Sequence, residues 1–515
     1  MRRFNLIAGV LIVLSLLITT AAFAQESTLI GGHPDFNATA AEEEAYWYSR
    51  YNMGNLTMMS GLGDTFMPDM TMIQQMIQMA DANPNDGDTA MPPMNAALLK
   101  TIYASADPHF IQSIDMTMQD FGTMRWDPNS FDRTITTPAM GWTIIKEIEW
   151  AKQFHVDDHF GTPTNDYGAQ WRFVGMVITA EAKMQAQYAL QMLTNSQGLI
   201  ANSDGAVDWK GQWIMLEALS DLASTLDAPT MLHSTSNRYA DPAAAAMFRS
   251  ASAMIFQALR NRNPATVEEL SLAVQALPWY AAAQNNADQQ ALVIAQLQRY
   301  GDNLVTISES ALNGATSGLQ FNASKWAYAI RGLIEVQRIT GQENYLSVAA
   351  RAFNRLQSQY DGLHGIFTIQ DSYTIDDVAI IMGALNSLRL FGGNAVNQYQ
   401  VETVFSDFFE SVVNLSGLQQ SAPPIDVLKG SFEKKHPAIY YMYPGIPMPP
   451  MAGGAYGIAP VFATEVTWDG TRWHVTNGRF DSAGSMHAAN ELIWFHNDEV
   501  DGFPVLPALR SSQAQ

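Results

Sequence analysis

Between residues 138 and 415 apolar side chains recur at spacings of three and four, as in Trp326, Ile330, Leu333 and Ile334. That spacing lines one face of a helix. Breakers divide the stretch into helices expected at about 138–155, 168–195, 207–226, 241–262, 266–285, 287–312, 322–340, 343–360, 374–391 and 395–414. Asp241-Pro242, Thr266 with Glu269, and Thr374 with Asp377 mark starts, the last two in the form of capping boxes. Gly341, Gly362 and Gly392-Gly393 mark stops. So many helices joined by short turns pair as antiparallel hairpins, stacked in a solenoid or closed in a ring. No comparable set of alternating segments supports an α/β arrangement.

The flanks read differently. Residues 25–137 are rich in Met, Asp and Pro, and residues 416–515 carry Pro, Gly and aromatic side chains with few helix signals. Thr464–Trp468 and Arg472–Thr476 alternate around Asp469-Gly470, a pair suited to a two-residue hairpin turn. A β-containing cap on the helical body is expected there.

The run from Lys325-Trp326-Ala327 through Thr340-Gly341-Gln342-Glu343-Asn344-Tyr345-Leu346 and Ala349-Ala350-Arg351-Ala352 to Asp361-Gly362-Leu363-His364-Gly365 resembles a hairpin of the (α/α)6 toroid, six-hairpin glycosidase-like proteins. Thr374-Ile375-Asp376-Asp377 then opens the next helix in the same manner. The resemblance covers about residues 138–415 and implies a mainly α toroid body over that range. It recurs in glycosidases, polysaccharide lyases, sugar epimerases and noncatalytic relatives, so it speaks to fold more than to substrate. The expected layout is a signal peptide over 1–24, a Met-rich N-terminal helical segment over 25–137, the toroid over 138–415 and a C-terminal loop and β-hairpin cap over 416–515.

The first residues fit a secretory signal: Arg2 and Arg3, an apolar run from Leu6 to Phe23, and Ala22-Phe23-Ala24 as a cleavage site. A periplasmic or secreted protein with no integral span after cleavage is expected. Removing residues 1–24 leaves 26 basic against 50 acidic side chains, a net charge of −24. Phosphate backbones are bound through Lys and Arg, so this balance argues against nucleic acid and favours neutral or cationic ligands. With no cysteine, thiolate catalysis and cysteine-held metal centres are excluded. There is no phosphate-binding Gly loop and no GxSxG elbow.

Three loop-to-helix junctions gather acids and rings. They are His155, Asp157, Asp158, His159, Asp166, Tyr167 and Trp171; then Asp204, Asp208, Trp209 and Trp213; then Asp361, His364, Asp371, Tyr373, Asp376 and Asp377. Glycoside hydrolysis takes two carboxyl groups, one protonated and one ionised, with aromatic faces to hold the sugar. Asp157, Asp158, Asp166, Asp208, Asp376 and Asp377 are the candidate acids. Trp171, Trp209, Trp213, Tyr167, Tyr373 and His364 are the candidate ligand contacts. Helix-start aspartates also serve as caps, a role that suits Asp208 and Asp376.

Methionine supplies a second candidate chemistry. Fourteen of 27 lie between Met53 and Met140, and Met91-Pro92-Pro93-Met94 recurs as Met448-Pro449-Pro450-Met451. Thioethers select Cu(I), so Met91, Met94, Met442, Met448 and Met451 with His436 and His487 form a candidate copper set. Methionine also fills irregular cores. The leading expectation is an exported protein that binds or processes a neutral glycan at the helix mouths of a toroid. The alternatives are a noncatalytic copper-binding protein and an interaction scaffold.

Overall fold

The computed structural model describes residues 36–66, 69–80, 98–110, 124–127, 129–155, 165–231, 236–284, 286–314, 321–420, 462–492, 495–497 and 500–502. In chain order its helices are α1 (Ala38–Gly54), α2 (Met70–Ala80), α3 (Thr137–Phe154), α4 (Asn165–Tyr188), α5 (Trp209–Asp227), α6 (Pro242–Leu259), α7 (Val267–Ala283), α8 (Ala287–Leu312), α9 (Ala323–Thr340), α10 (Glu343–Gln357), α11 (Ile375–Phe391), α12 (Gln398–Phe408) and α13 (Ser482–Leu492).

Six of these form a closed inner ring. α3 packs on α5, α5 on α7, α7 on α9, α9 on α11, α11 on α13, and α13 returns to α3. Each inner helix is backed by an outer one: α4 behind α3, α6 behind α5, α8 behind α7, α10 behind α9, α12 behind α11 and α1 behind α13. The chain is therefore an (α/α)6 toroid. Burial follows position in the ring. The inner helix α3 buries 15 of its 18 residues, whereas the 26-residue outer helix α8 buries a single stripe formed by Val293, Leu297, Tyr300, Gly301, Leu304 and Ser308.

The sixth hairpin is the departure from expectation. Its outer helix α1 comes from the segment before the 138–415 body, and its inner helix α13 comes from the region expected to hold only loops and a hairpin. The two ends of the chain thus close one ring. Ser49 Oγ donates to the Ala489 carbonyl at 2.6 Å, and Asn52 Nδ2 donates to the Ser485 carbonyl at 2.7 Å, fastening α1 to α13.

The helix starts are capped at the expected places, although the box expected at Thr266 is half formed, because the Glu269 carboxylate accepts from Ala265 N and Arg262 and not from Thr266 N. Thr136, Asp208, Asp241, Thr266, Asn286, Asn322 and Asn397 each accept from a backbone N–H in the first turn, and Thr374 with Asp377 completes a capping box on α11. Such caps satisfy N–H groups that the helix itself cannot. Gly341 ends α9 at φ +67°, a left-handed conformation that glycine adopts without strain.

Short strands dress the ring. β1 (Thr65–Phe66) pairs with β2 (Leu98–Leu99), β3 (Ser105–Ala106) with β11 (Phe480–Asp481), β4 (Pro108–Phe110) with β5 (Met124–Trp126), and β6 (Tyr360–Asp361) with β7 (Ile366–Phe367). The expected C-terminal hairpin is present as β9 (Glu465–Trp468) and β10 (Trp473–Asn477), but Trp473 stands opposite Trp468, so residues 469–472 make a four-residue turn where a two-residue turn at Asp469-Gly470 was expected. β8 (Ser372–Thr374) adds to β9, pairing Tyr373 with Val466. The hairpin is thereby welded to the residues that lead directly into α11.

Candidate functional site in the lumen of the toroid

Successive inner helices are separated by a returning outer helix, so their N-terminal ends gather at one mouth of the ring. All six carry a polar or aromatic side chain in their first two turns: Trp142 on α3, Lys210 on α5, Glu268 on α7, Tyr328 on α9, Asp376 on α11 and His487 on α13. Asp376 is the hub. Its Oδ1 lies 2.6 Å from His487 Nδ1, and its Oδ2 accepts from the Tyr328 hydroxyl at 3.2 Å. His487 is in turn stacked on Trp142, with centroids 4.5 Å apart and planes at 8°. The Trp142 carbonyl accepts from Asn490 Nδ2 at 2.9 Å, which ties α3 to α13 behind the stack.

Asp376 keeps 44% of its side-chain surface open, yet desolvation by surrounding protein is the largest single influence on its acidity. That combination describes a carboxylate on the floor of a concavity. Desolvation pushes its pKa up, and His487, Lys210 and Tyr328 together outweigh it, leaving the group at about 2. The carboxylate is therefore held ionised at neutral pH. Burial and Asp376 together keep the Tyr328 phenol firmly protonated, so it serves only as a donor here.

Further along the lumen lies a second charged layer. Arg331 on α9 places Nη1 3.1 Å from Glu335 Oε2 and Nε 3.4 Å from Glu491 Oε2 on α13. Glu491 fits because α11 carries Gly383, where a Cβ would fall 1.9 Å from Glu491 Oε2. Lys146 on α3 is buried, and burial lowers it to about 8 against the pull of Glu149 and Glu491. Glu217 on α5 is half-buried among these groups. Burial raises its pKa well above the usual carboxylate range; Asp221, Glu335 and Glu491 push the same way, and only Arg331 opposes them. α5 touches α3 and α7 in the ring, so influences from α9 and α13 reach Glu217 across the interior. Deeper still, Lys152 Nζ bridges Asp221 at 2.6 Å and Glu149 at 2.9 Å, and sits 4.9 Å above the Trp279 ring.

The residues singled out in the sequence divide by location. Asp376 is in the lumen. Asp377, next to it, is the reciprocal member of the capping box, and Asp208 caps α5 by accepting from Gly211 N at 3.1 Å. Trp209 is half-buried at the start of α5 with the Arg262 guanidinium 4.0 Å over its ring. Trp213 and Tyr373 are core side chains with no exposed surface. Trp213 packs edge-on to Tyr300, and the Tyr373 hydroxyl bonds to both the amide and the carbonyl of Phe367. Neither offers a sugar-facing ring. His364 pairs with Asp361 at 2.7 Å and leans on Trp468, within its own loop.

His487, one of the candidate copper ligands, has Nδ1 on Asp376 and its ring face on Trp142, and its Nε2 is buried with no hydrogen-bond partner. The remaining copper candidates, His436, Met91, Met94, Met442, Met448 and Met451, fall outside the described residues, as do Asp157 and Asp158. Asp166, Tyr167 and Trp171 belong to the first turns of α4, and their side chains are outside the described set. Among the described residues no three His, Asp or Glu side chains form a metal-holding group. Glu217, Tyr328, Arg331, Glu491 and Trp142 were missed by the sequence reading. The available signal was a charged residue inside an otherwise apolar helical stretch, as in Ile214-Met215-Leu216-Glu217-Ala218-Leu219.

No protein-family model matches this chain, and no curated protein matches it by sequence. Solved structures do resemble it. One is a D-mannose isomerase, at 10% identity and a TM-score of 0.45, covering 82% of this chain and 97% of that one. Another is a sugar epimerase from a ruminal bacterium, at 11% identity and a TM-score of 0.40, covering 81% and 98%. A third is the GH family 9 endoglucanase J30, at 13% identity and a TM-score of 0.27, covering 61% and 67%.

Proposed function

We propose that the protein is an enzyme that processes a neutral carbohydrate in the lumen of the toroid by paired carboxyl acid–base chemistry. The observation that carries this reading is the opposite displacement of two carboxyl groups. Asp376 is held ionised, and Glu217 is pushed toward its protonated form, from helices on opposite sides of one ring. Carboxyl groups of one lumen driven apart in this way are suited to supply an acid and a base.

In this reading Asp376 is the base or nucleophile. Tyr328 and His487 fix both of its oxygens and so aim it. Glu217 is the acid that protonates the departing or rearranging oxygen. Trp209, at the same mouth, offers an aromatic surface to the sugar. Two of the lumen cations are committed to acids: Arg331 to Glu335 and Glu491, and Lys152 to Asp221 and Glu149. An anionic ligand that took either of them would break a pair, at a cost of several kcal/mol on the order seen when a buried pair loses a partner. Neutral hydroxyl-bearing ligands avoid that cost.

The test is a ligand-observed NMR screen of neutral and anionic mono- and oligosaccharides against the wild type, Asp376→Asn and Glu217→Gln. Binding of a neutral sugar to all three proteins, with turnover by the wild type alone, supports the reading. Preferential binding of anionic sugars, or turnover unchanged in both variants, removes it.

A further inference from the structure

A second pair of carboxyl groups, outside the lumen, is built around one backbone residue. Glu147 on α3 and Glu181 on α4 are both fully buried, and so is Gln185 one turn beyond Glu181. Leu99 of β2 is inserted between them. Its N–H donates to Glu181 Oε1 at 2.8 Å, and its carbonyl accepts from Gln185 Nε2 at 2.9 Å. The same Gln185 Nε2 donates to Glu147 Oε1 at 2.9 Å. The three side chains thus clamp the strand that pairs with β1 and carries the N-terminal segment against the ring.

The clamp has a defect if both acids are ionised. Glu147 Oε2 and Glu181 Oε2 are each buried without a partner. Two such oxygens bearing charge, each buried and without a donor, would be costly on desolvation and repulsion alike. No basic side chain compensates. The influences on Glu147 are burial, Glu181 and Gln185, and those on Glu181 are burial and the Leu99 amide.

The charged groups on the adjoining elements are occupied elsewhere. On α3, Lys146 is influenced by Glu149 and Glu491, and Glu149 is bound by Lys152. On α4, Lys183 is bound to Asp241 at 2.6 Å and the buried Arg172 acts on Tyr239. On the other helices packed against α3, Asp221 of α5 is bound by Lys152, Glu491 of α13 by Arg331, Glu42 of α1 by Arg389 and Glu44 of α1 by Asn414. Lys100, beside β2, is half-buried and is not among the influences on either carboxyl, and the turn at Asn55–Met59 and the helix α2 carry no charged residue.

We propose that Glu147 and Glu181 hold a single proton between their two unpartnered oxygens, and that this proton is what fastens β2 to the ring. The proton belongs on Glu147. Glu181 already has a backbone N–H to stabilise its charge, and that charge is among the influences that raise Glu147. Glu147 Oε2–H donating to Glu181 Oε2 removes both unpartnered atoms at once. Glu147 Oε1 remains a carbonyl-like acceptor for Gln185, which agrees with the observed bond.

The clamp is then sensitive to pH in a definite direction. A carboxyl whose folded pKa is raised binds its proton more tightly folded than unfolded, so its contribution is full in acid and is lost as pH rises through the folded value. Opening of the β2 clamp releases that proton. Between the ordinary glutamate range and the raised folded value, the opening equilibrium grows about tenfold per pH unit.

The experiment is amide hydrogen exchange at Leu99, corrected for intrinsic base catalysis, from pH 5 to 9 in the wild type, Glu147→Gln and Glu181→Gln. The expected result is protection at Leu99 that falls with pH in the wild type. Glu147→Gln, whose amide Nε2 is a permanent donor to Glu181 Oε2, should abolish the pH dependence. The infrared absorption of protonated carboxyls at neutral pH should lose intensity between the wild type and the Glu147→Gln, Glu181→Gln double variant, leaving the part that Glu217 contributes. Leu99 protection independent of pH in the wild type, or an identical pH dependence in Glu147→Gln, would overturn the proposal. If the glutamine variants do not fold, absence of a buried protonated-carboxyl band in the wild type overturns it equally.

Discussion

Asp376 Oδ1 and His487 Nδ1 stand 2.6 Å apart, on inner helices whose sequence positions differ by 111 residues. The contact joins α11 to the helix that closes the ring. It therefore couples formation of the toroid to formation of the candidate site, since Asp376 is aimed only when α13 is in place. The same contact keeps Asp376 ionised against burial.

Asp376 and its neighbour Asp377 should separate function from stability. Asp376→Asn should lower turnover by about 10²- to 10⁴-fold, the usual contribution of a positioned acid–base group. Asp377→Ala removes the capping-box acceptor and should cost about 0.5–2 kcal/mol in urea unfolding, with turnover retained in the folded fraction. The reverse pattern would assign the chemistry to the wrong aspartate.

Glu217 sets the alkaline side of the pH profile. Its folded pKa is raised, so the acid form is available below that value and is lost as pH rises through it. Glu217→Gln should remove turnover at every pH, because the amide has no proton to give. On the acid side Asp376 holds its charge down to about pH 2, so its protonation should not limit activity across the ordinary range. A rate profile of the wild type from pH 3 to 10 checks both limbs.

Gly383 should tolerate no side chain. A Cβ there would sit 1.9 Å from Glu491 Oε2 and push the carboxylate off Arg331. Gly383→Ala should destabilise the protein by about 1–3 kcal/mol, the common cost of overpacking a filled interior. It should also move the alkaline limb of the rate profile, since both Glu491 and Arg331 act on Glu217. Urea unfolding reads the first effect and the pH profile the second.

Trp142 supports the site from behind. Trp142→Ala removes a buried ring and the stacked face of His487, and should cost about 3–5 kcal/mol in thermal or urea unfolding. Trp142→Phe keeps an aromatic face and should recover most of that stability.

The body of the fold was legible because caps and breakers punctuate it. Thr266 with Glu269, Thr374 with Asp377 and Gly341 are found where local hydrogen bonding demands them. The place of the hairpin was legible for the same reason, with Gly470 at φ +93°, but its turn takes in residues 469–472 and not Asp469-Gly470 alone. Helix α13 was not. Its Ser482, Gly484 and Ser485 are weak helix formers, and its stability comes from packing between α3 and α11, which no local pattern records.

The site was half legible. Position at a helix mouth picked out both Asp376 and Asp377, but one residue is about 100° of helical rotation, so which of the two faces the lumen depends on the ring. Glu217, Arg331 and Glu491 lie mid-helix, where a charge in an apolar run gains meaning only once the opposite wall of the ring is known. Trp213 and Tyr373 misled because an aromatic ring at helical or strand spacing packs inward as readily as it holds a sugar.

The most direct test of the acid–base account follows conversion of a panel of neutral saccharides by NMR, with wild type, Asp376→Asn and Glu217→Gln side by side at one pH. The account predicts at least one sugar converted by the wild type and slowed by about 10²-fold or more in each variant, with both variants still folded and still binding it. A panel left unconverted by the wild type, or converted equally by all three proteins, would contradict it.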